Sequence, residues 1–170
     1  MKKILAEISK IAIRNAEVTY SAEQVSSAWI GFAPALPKQV DALEHSLGLS
    51  LPQDYKDFLL LTNGFSAVNY STEPSFAPVE EVDYLINRDK ELVDIWLEHG
   101  VSETAELLTK SILIGGYGEE QCFLLVPPAA DVNVWRYWKF ASWIPGEQAF
   151  DNLPAYFLDV LDFLKKESQS

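Results

Sequence analysis

Along the first fifteen positions the apolar residues return every three or four places. Ile4, Leu5, Ile8, Ile11 and Ala12 share one side of a helical wheel, and Lys2, Lys3, Glu7, Lys10 and Arg14 share the other. The spacing predicts an amphipathic helix laid on the rest of the chain as an extra layer. A second helix is expected from Ser21, whose hydroxyl can cap while Gln24 reaches back to the Ser21 amide. Its apolar face would carry Val25, Trp29 and Ile30. Glycine and two prolines then make GFAPALPK, at 31–38, a short connector.

Residues 38–47 predict a helix burying Val40, Leu43 and Leu47, with Gly48 free to take the left-handed conformation that ends it. The next helix opens at Leu51 and Pro52, because a proline ring is tolerated where a helix starts. Asp54 suits the positive end of the dipole. Tyr55, Phe58, Leu59 and Thr62 give this helix an aromatic buried face, and Asn63 and Gly64 stop it. A strand is expected at 67–70. Pro78 is expected to start a helix carrying Val79, Val82, Leu85 and Ile86, followed by one with Leu92, Ile95 and Trp96 closed by Gly100. Ser102 would cap a short helix through Leu107 and Leu108.

Strand chemistry dominates only afterwards. SILIG, QCFLLV and VWRYWKF are short, β-branched and aromatic, and separated by Gly, Pro, Asn and Asp, which predicts a small antiparallel sheet. A last helix from near Pro154 would bury Phe157, Val160, Leu161 and Leu164, with a charged tail from Lys165. The elements therefore read as α+β, a small antiparallel sheet with several helices. One domain over 1–170 is the simplest organisation.

Composition narrows what such a fold can do. The chain has 170 residues, 48% of them apolar, which is enough for a continuous core. Its 13 Lys and Arg against 25 Asp and Glu leave a net charge of −12. That sign opposes direct binding to nucleic acid or to an anionic membrane, and no basic run offsets it. Glu7 and Lys10 interrupt the apolar start too early for a secretion signal, and no segment reaches the length of a bilayer span. A cytoplasmic location is expected.

Candidate chemistry is sparse. Two histidines, His45 and His99, and one cysteine, Cys122, do not make the ligand cluster of a structural zinc site, so no metal or other cofactor is expected. Cys122 sits in an apolar run and reads as a buried small hydrophobe. No nucleophile elbow, zincin motif or phosphate-binding loop occurs. GGYG at 115–118 is followed by Glu119 and Glu120, which repel phosphate, and reads as a turn between strands. Catalytic residues are therefore not assigned.

The stretch VDALEHSLGLSLPQDYKDFLLLTNGF resembles the signature of the SMI1/KNR4 (SUKH) proteins. Its matching positions are Leu47, Gly48, Leu51, Pro52, Tyr55, Phe58, Leu59, Asn63 and Gly64. Later parts follow in the family's order: FAPVEEV, SILIG with Gly116, QCFLLV, and a closing helix. Phe65 departs from the pattern by standing where the family commonly has a second glycine. The resemblance covers about 37–165, leaving 1–36 as an N-terminal helical extension, and implies an α+β fold with a small bent antiparallel sheet packed against several helices. It also implies a noncatalytic recognition module. Bacterial members are held to be immunity proteins that neutralise toxins, and fungal relatives are associated with cell-wall synthesis and signalling. These are the expected function and its alternative, an antitoxin or a regulatory scaffold.

Charge and aromatic placement then suggest where a protein partner would bind. Residues 73–106 hold ten acids against Arg88 and Lys90, a local balance of −8. Either these are the wet faces of amphipathic helices, or Glu80, Glu81 and Asp83, with Glu119 and Glu120, form an acidic patch for a basic toxin domain such as a nuclease. Trp135 and Tyr137 fall on one face of their strand and Trp138 on the other. With Trp143 and Arg136 nearby they would anchor an interface if a ring is exposed, and would be core if helices cover both sheet faces.

Overall fold

The computed structural model describes residues 1–69, 72–99, 102–128, 134–141 and 148–168. Among the described residues five strands form one antiparallel sheet in chain order: β1 Asp83–Tyr84, β2 Ile112–Gly115, β3 Gln121–Val126, β4 Arg136–Ala141 and β5 Gln148–Phe150. Eight helices of the described residues accompany them: α1 Lys2–Asn15, α2 Ala22–Ser27, α3 Pro37–Leu47, α4 Gln53–Leu61, α5 Leu85–Arg88, α6 Lys90–His99, α7 Ser102–Leu108 and α8 Leu153–Glu167. The α+β class is as expected, and the sheet gains two edge strands that the sequence pattern did not announce.

Register explains why the strands carry apolar residues at consecutive positions. Ile112 pairs with Leu125, Leu125 with Tyr137 and Tyr137 with Phe150, a cross-strand row on one face. Leu113, Leu124 and Trp138 form the neighbouring row, which points to the other face. The first row joins a core with Leu5 and Ile8 of α1, Leu43 of α3, Phe58 of α4 and Phe157 of α8. The second row joins Leu85, Val93 and Leu108 from α5, α6 and α7. Both faces are thus covered by helices, and both carry apolar side chains. Phe76 sits in the middle of the first core, 5.1–5.2 Å from the rings of Phe58, Phe123 and Phe157. Burying each such ring contributes roughly 2 kcal/mol.

The motif 47–64 has a local reason at each position. Gly48 ends α3 at φ 69°, and Val40, Leu43 and Leu47 are buried as expected. Pro52 is the N-cap of α4 and lies just outside its first turn. Asp54 does more than meet the dipole: one oxygen accepts from the Tyr137 hydroxyl at 2.7 Å and the other from the Leu153 amide at 2.9 Å, tying α4 to β4 and α8. Asn63 accepts from the Val79 amide at 2.8 Å, which fixes the loop after Pro78. Gly64, at φ 101°, has the Phe76 carbonyl 2.9 Å from where a Cβ would stand, so no side chain fits. Phe65 is buried in a run of single bridges, Gly31 to Phe65, Phe65 to Phe76 and Phe76 to Gly115, that continues the sheet irregularly.

The N-terminal segment is part of the same packing. Leu5, Ile8 and Ala12 are fully buried, Ile4 and Ile11 partly so. Ser9 is buried too: its hydroxyl donates to the Leu5 carbonyl and accepts from the Ile30 amide at 3.2 Å. Ser21 and Gln24 make the expected capping box on α2.

Several expectations are corrected. Val25 points to solvent, 51% exposed, because α2 is a single short run whose chain turns inward only at Trp29 and Ile30. Residues 67–69 are not a strand; the bridging partners are Phe65 and Phe76 instead. Pro78 opens a turn followed by β1 and the one-turn α5, and no helix spans Val79 to Ile86. The apparent helical spacing arises because Val79 and Val82 enter the first core while Leu85 crosses into the second. On α6, Val93 is the buried residue and Ile95 is exposed. Tyr70, the last residue of the strand expected at 67–70, lies outside the described residues, as do Gly100, Trp143 and the side chain of Ser102.

Candidate functional site

The hairpin turn between β2 and β3 is forced tight by its glycines. Gly116 has φ 73°, and a Cβ there would fall 1.9 Å from the Gln121 carbonyl oxygen. Gly118 has φ 71°. Between them Tyr117 is held outward, 60% exposed. Glu119 then folds back: its carboxylate accepts from the Ser75 amide at 3.0 Å and from the Ser75 hydroxyl, while the Gly116 amide donates to the Ser75 carbonyl at 2.8 Å. The turn is therefore anchored to the strand-like segment around Phe76, with GGYG serving as the turn expected.

Facing it across an open cleft of about 460 Å³ are α5 and the start of α6. Leu85, Leu92, Ile95, Leu113, Cys122 and Phe140 supply its apolar walls. Asp89, Glu91, Glu119 and Glu120 line it with carboxylates against one arginine, Arg88. Asp89 also accepts from the Leu92 amide at 3.0 Å and so caps α6. The Arg88 guanidinium lies 5.8 Å from the centre of the Tyr117 ring, a cation–π distance. Burial and the nearby Asp89 charge push the Cys122 thiol up to about 12, and the thiol donates weakly to the Phe140 carbonyl, so it is a wall and not a nucleophile.

A second cleft, of about 310 Å³, shares Gly116 and Tyr117 with the first and adds Phe32, Phe76 and Glu81. Phe32 is 51% exposed. Tyr117 is thus a lip common to two clefts, with Phe32 on the far side of one and Glu91 on the far side of the other.

The residues singled out from sequence separate in space. Glu119 and Glu120 meet on the first cleft, and Glu81 lines the second. Glu80 belongs elsewhere: it accepts from Gln39 at 2.5 Å and from Asn63 at 3.3 Å and fastens the loop after Pro78 to α3 and α4. Asp83 accepts from the Tyr84 amide and from Asn87, which shapes β1 and the turn of α5. Trp135 is half-buried against the first core. Tyr137 is 1% exposed, its hydroxyl on Asp54, so it is core and offers nothing to a partner. Burial, then the Asp54 carboxylate, raise its pKa far above the tyrosine range. Nor is the acidic segment one surface, because Glu73 is buried, with Lys139 at 2.9 Å and the Tyr156 hydroxyl at 2.8 Å. Among the described residues the exposed aromatics are Tyr117 and Phe32, which border the clefts, and Phe163, on α8 away from them. The one local signal of Tyr117 and Phe32 is an aromatic residue confined in a Gly- or Pro-rich turn.

Among the described residues no helix is long and apolar enough to cross a membrane, and no group of three or more His, Cys, Asp and Glu is placed to hold a metal ion. The sequence model of the SMI1 / KNR4 family (SUKH-1) matches residues 34–166. No curated protein matches the chain.

Proposed function

The chain belongs to the SMI1/KNR4 family, and on that premise we propose that it is an immunity protein that binds a toxin domain and covers its active surface. The observation that carries this is the surface around the β2–β3 turn, where two exposed aromatics adjoin two clefts that carboxylates line. Aromatic anchors supply contact area at low entropic cost, and complementary charge accelerates encounter. A cationic toxin domain, such as a nuclease that grips phosphate, has the matching field. Nothing in this role requires the chain to turn over a substrate.

Co-expression with cationic toxin domains encoded in the producing cell provides the test. The expected result is a stable complex with one of them and survival only of cells that also make this chain. Failure of every such domain to bind, or death despite co-expression, overturns the proposal. A stable complex with a host envelope-synthesis protein, without protection, would indicate the regulatory scaffold instead.

A further inference from the structure

We infer that the cleft between α5–α6 and the β2–β3 turn receives a Lys- or Arg-bearing segment of the partner protein, with the aliphatic stem on the apolar wall and the cationic head among the rim carboxylates. This deepens the function proposed above and rests on it. Leu92 and Ile95 stand on one wall, and Glu91 and Glu120 are exposed at the mouth. Long basic side chains have this same division, an apolar stem with a charged tip.

Charge decides among occupants. The cleft is lined by four carboxylates against Arg88, so an anion is repelled. A second copy of this chain, at net charge −12, would bring like charge to like. A cationic segment meets attraction at the rim and apolar contact beneath. Arg88 already displays the chemistry, its guanidinium beside the Tyr117 ring, while Tyr117 keeps most of its surface open. Asp89 and Glu119 hold backbone amides, which leaves Glu91 and Glu120 as the acids to alter without disturbing the fold.

The probe is a fluorescently labelled peptide of alternating Lys and Leu, titrated by anisotropy against the full chain at low salt. Glu91→Gln with Glu120→Gln is expected to weaken binding about tenfold, as for two exposed charge pairs. Glu17→Gln with Glu167→Gln removes the same charge at exposed positions outside the cleft and should change affinity less than about twofold. A Lys–Ser peptide should bind more weakly than Lys–Leu, because it forgoes the apolar wall. Equal losses in the two double variants, or equal binding of the two peptides, overturn the inference. So does displacement of the peptide by spermidine at equal charge concentration, which would make the occupant a free polyamine. Circular dichroism of each variant excludes unfolding as the cause. Intact toxin protection by Glu91→Gln with Glu120→Gln would sink the cleft as the docking site while leaving the immunity role standing.

Discussion

Replacing Glu73 by Gln tests a charge that is buried where the other described acids and bases keep some contact with water. The Glu73 side chain is 8% exposed and that of Lys139 13%, with 2.9 Å between them. The second carboxylate oxygen accepts from the Tyr156 hydroxyl at 2.8 Å, and the Asn69 side chain accepts from the Glu73 amide. Removing one partner of a buried pair costs about 3–5 kcal/mol, because the other charge stays out of water without compensation. Glutamine keeps an oxygen for the ammonium, which places the expected loss lower, at roughly 2–3 kcal/mol. Lys139→Met should cost a similar amount. The double variant leaves no unpaired charge, so it should fall short of the sum by about 1–3 kcal/mol. Urea unfolding followed by tryptophan fluorescence gives all four stabilities, and the loss should barely change with salt, since buried pairs are poorly screened. A loss below about 0.5 kcal/mol for Glu73→Gln, or strict additivity of the pair, would refute the reasoning.

Three other tests address buried polar groups. Tyr55, Tyr137 and Tyr156 are held neutral by burial, joined for the latter two by the Asp54 and Glu73 carboxylates. Their folded pKa values lie above 10, so the stability they lend is complete below about pH 10 and declines as pH climbs from there toward the folded values, by roughly 4 kcal/mol per pH unit for three groups. Absorbance at 295 nm should report them ionising only with loss of helical circular dichroism; free titration in the folded state would contradict this. The Tyr55 hydroxyl is buried without a hydrogen-bond partner among the described residues, so Tyr55→Phe should raise stability by about 1 kcal/mol in thermal unfolding, and a loss would show that the hydroxyl is satisfied. Cys122, its thiol pushed up to about 12, should react with an aromatic disulfide reagent far more slowly than a free thiol at pH 8, and at full rate in denaturant.

How much was legible from sequence depended on whether a residue's partner is near it in the chain. The Ser21–Gln24 box, the Gly48 stop and the buried faces of α3, α4 and α8 all follow from neighbours within a turn, and each stands as expected. The segment after Pro78 misled because its apolar residues serve two cores while imitating one helical face. The acidic run misled for a related reason. Glu73 answers Lys139, 66 residues away, and Glu119 answers Ser75, 44 away, and no local pattern announces such pairs. For Tyr137 strand alternation leaves interface and core equally open, and only the helices lying over both sheet faces, which no local pattern announces, make it core.

The single bridges running from Gly31 through Phe65 and Phe76 to Gly115 bear on recognition. They lace the chain at Gly31 and at Gly115 to the segment that holds both Phe65 and Phe76, and the loops bearing Phe32 and Tyr117 hang from the two ends of that lacing. Such loops have little freedom left to surrender on contact, so more of the contact energy is retained as affinity. Slack introduced at Phe65 would be felt at both aromatic tips, at Phe32 through its amide on the neighbouring Gly64 carbonyl and at Tyr117 by way of Phe76 and Gly115.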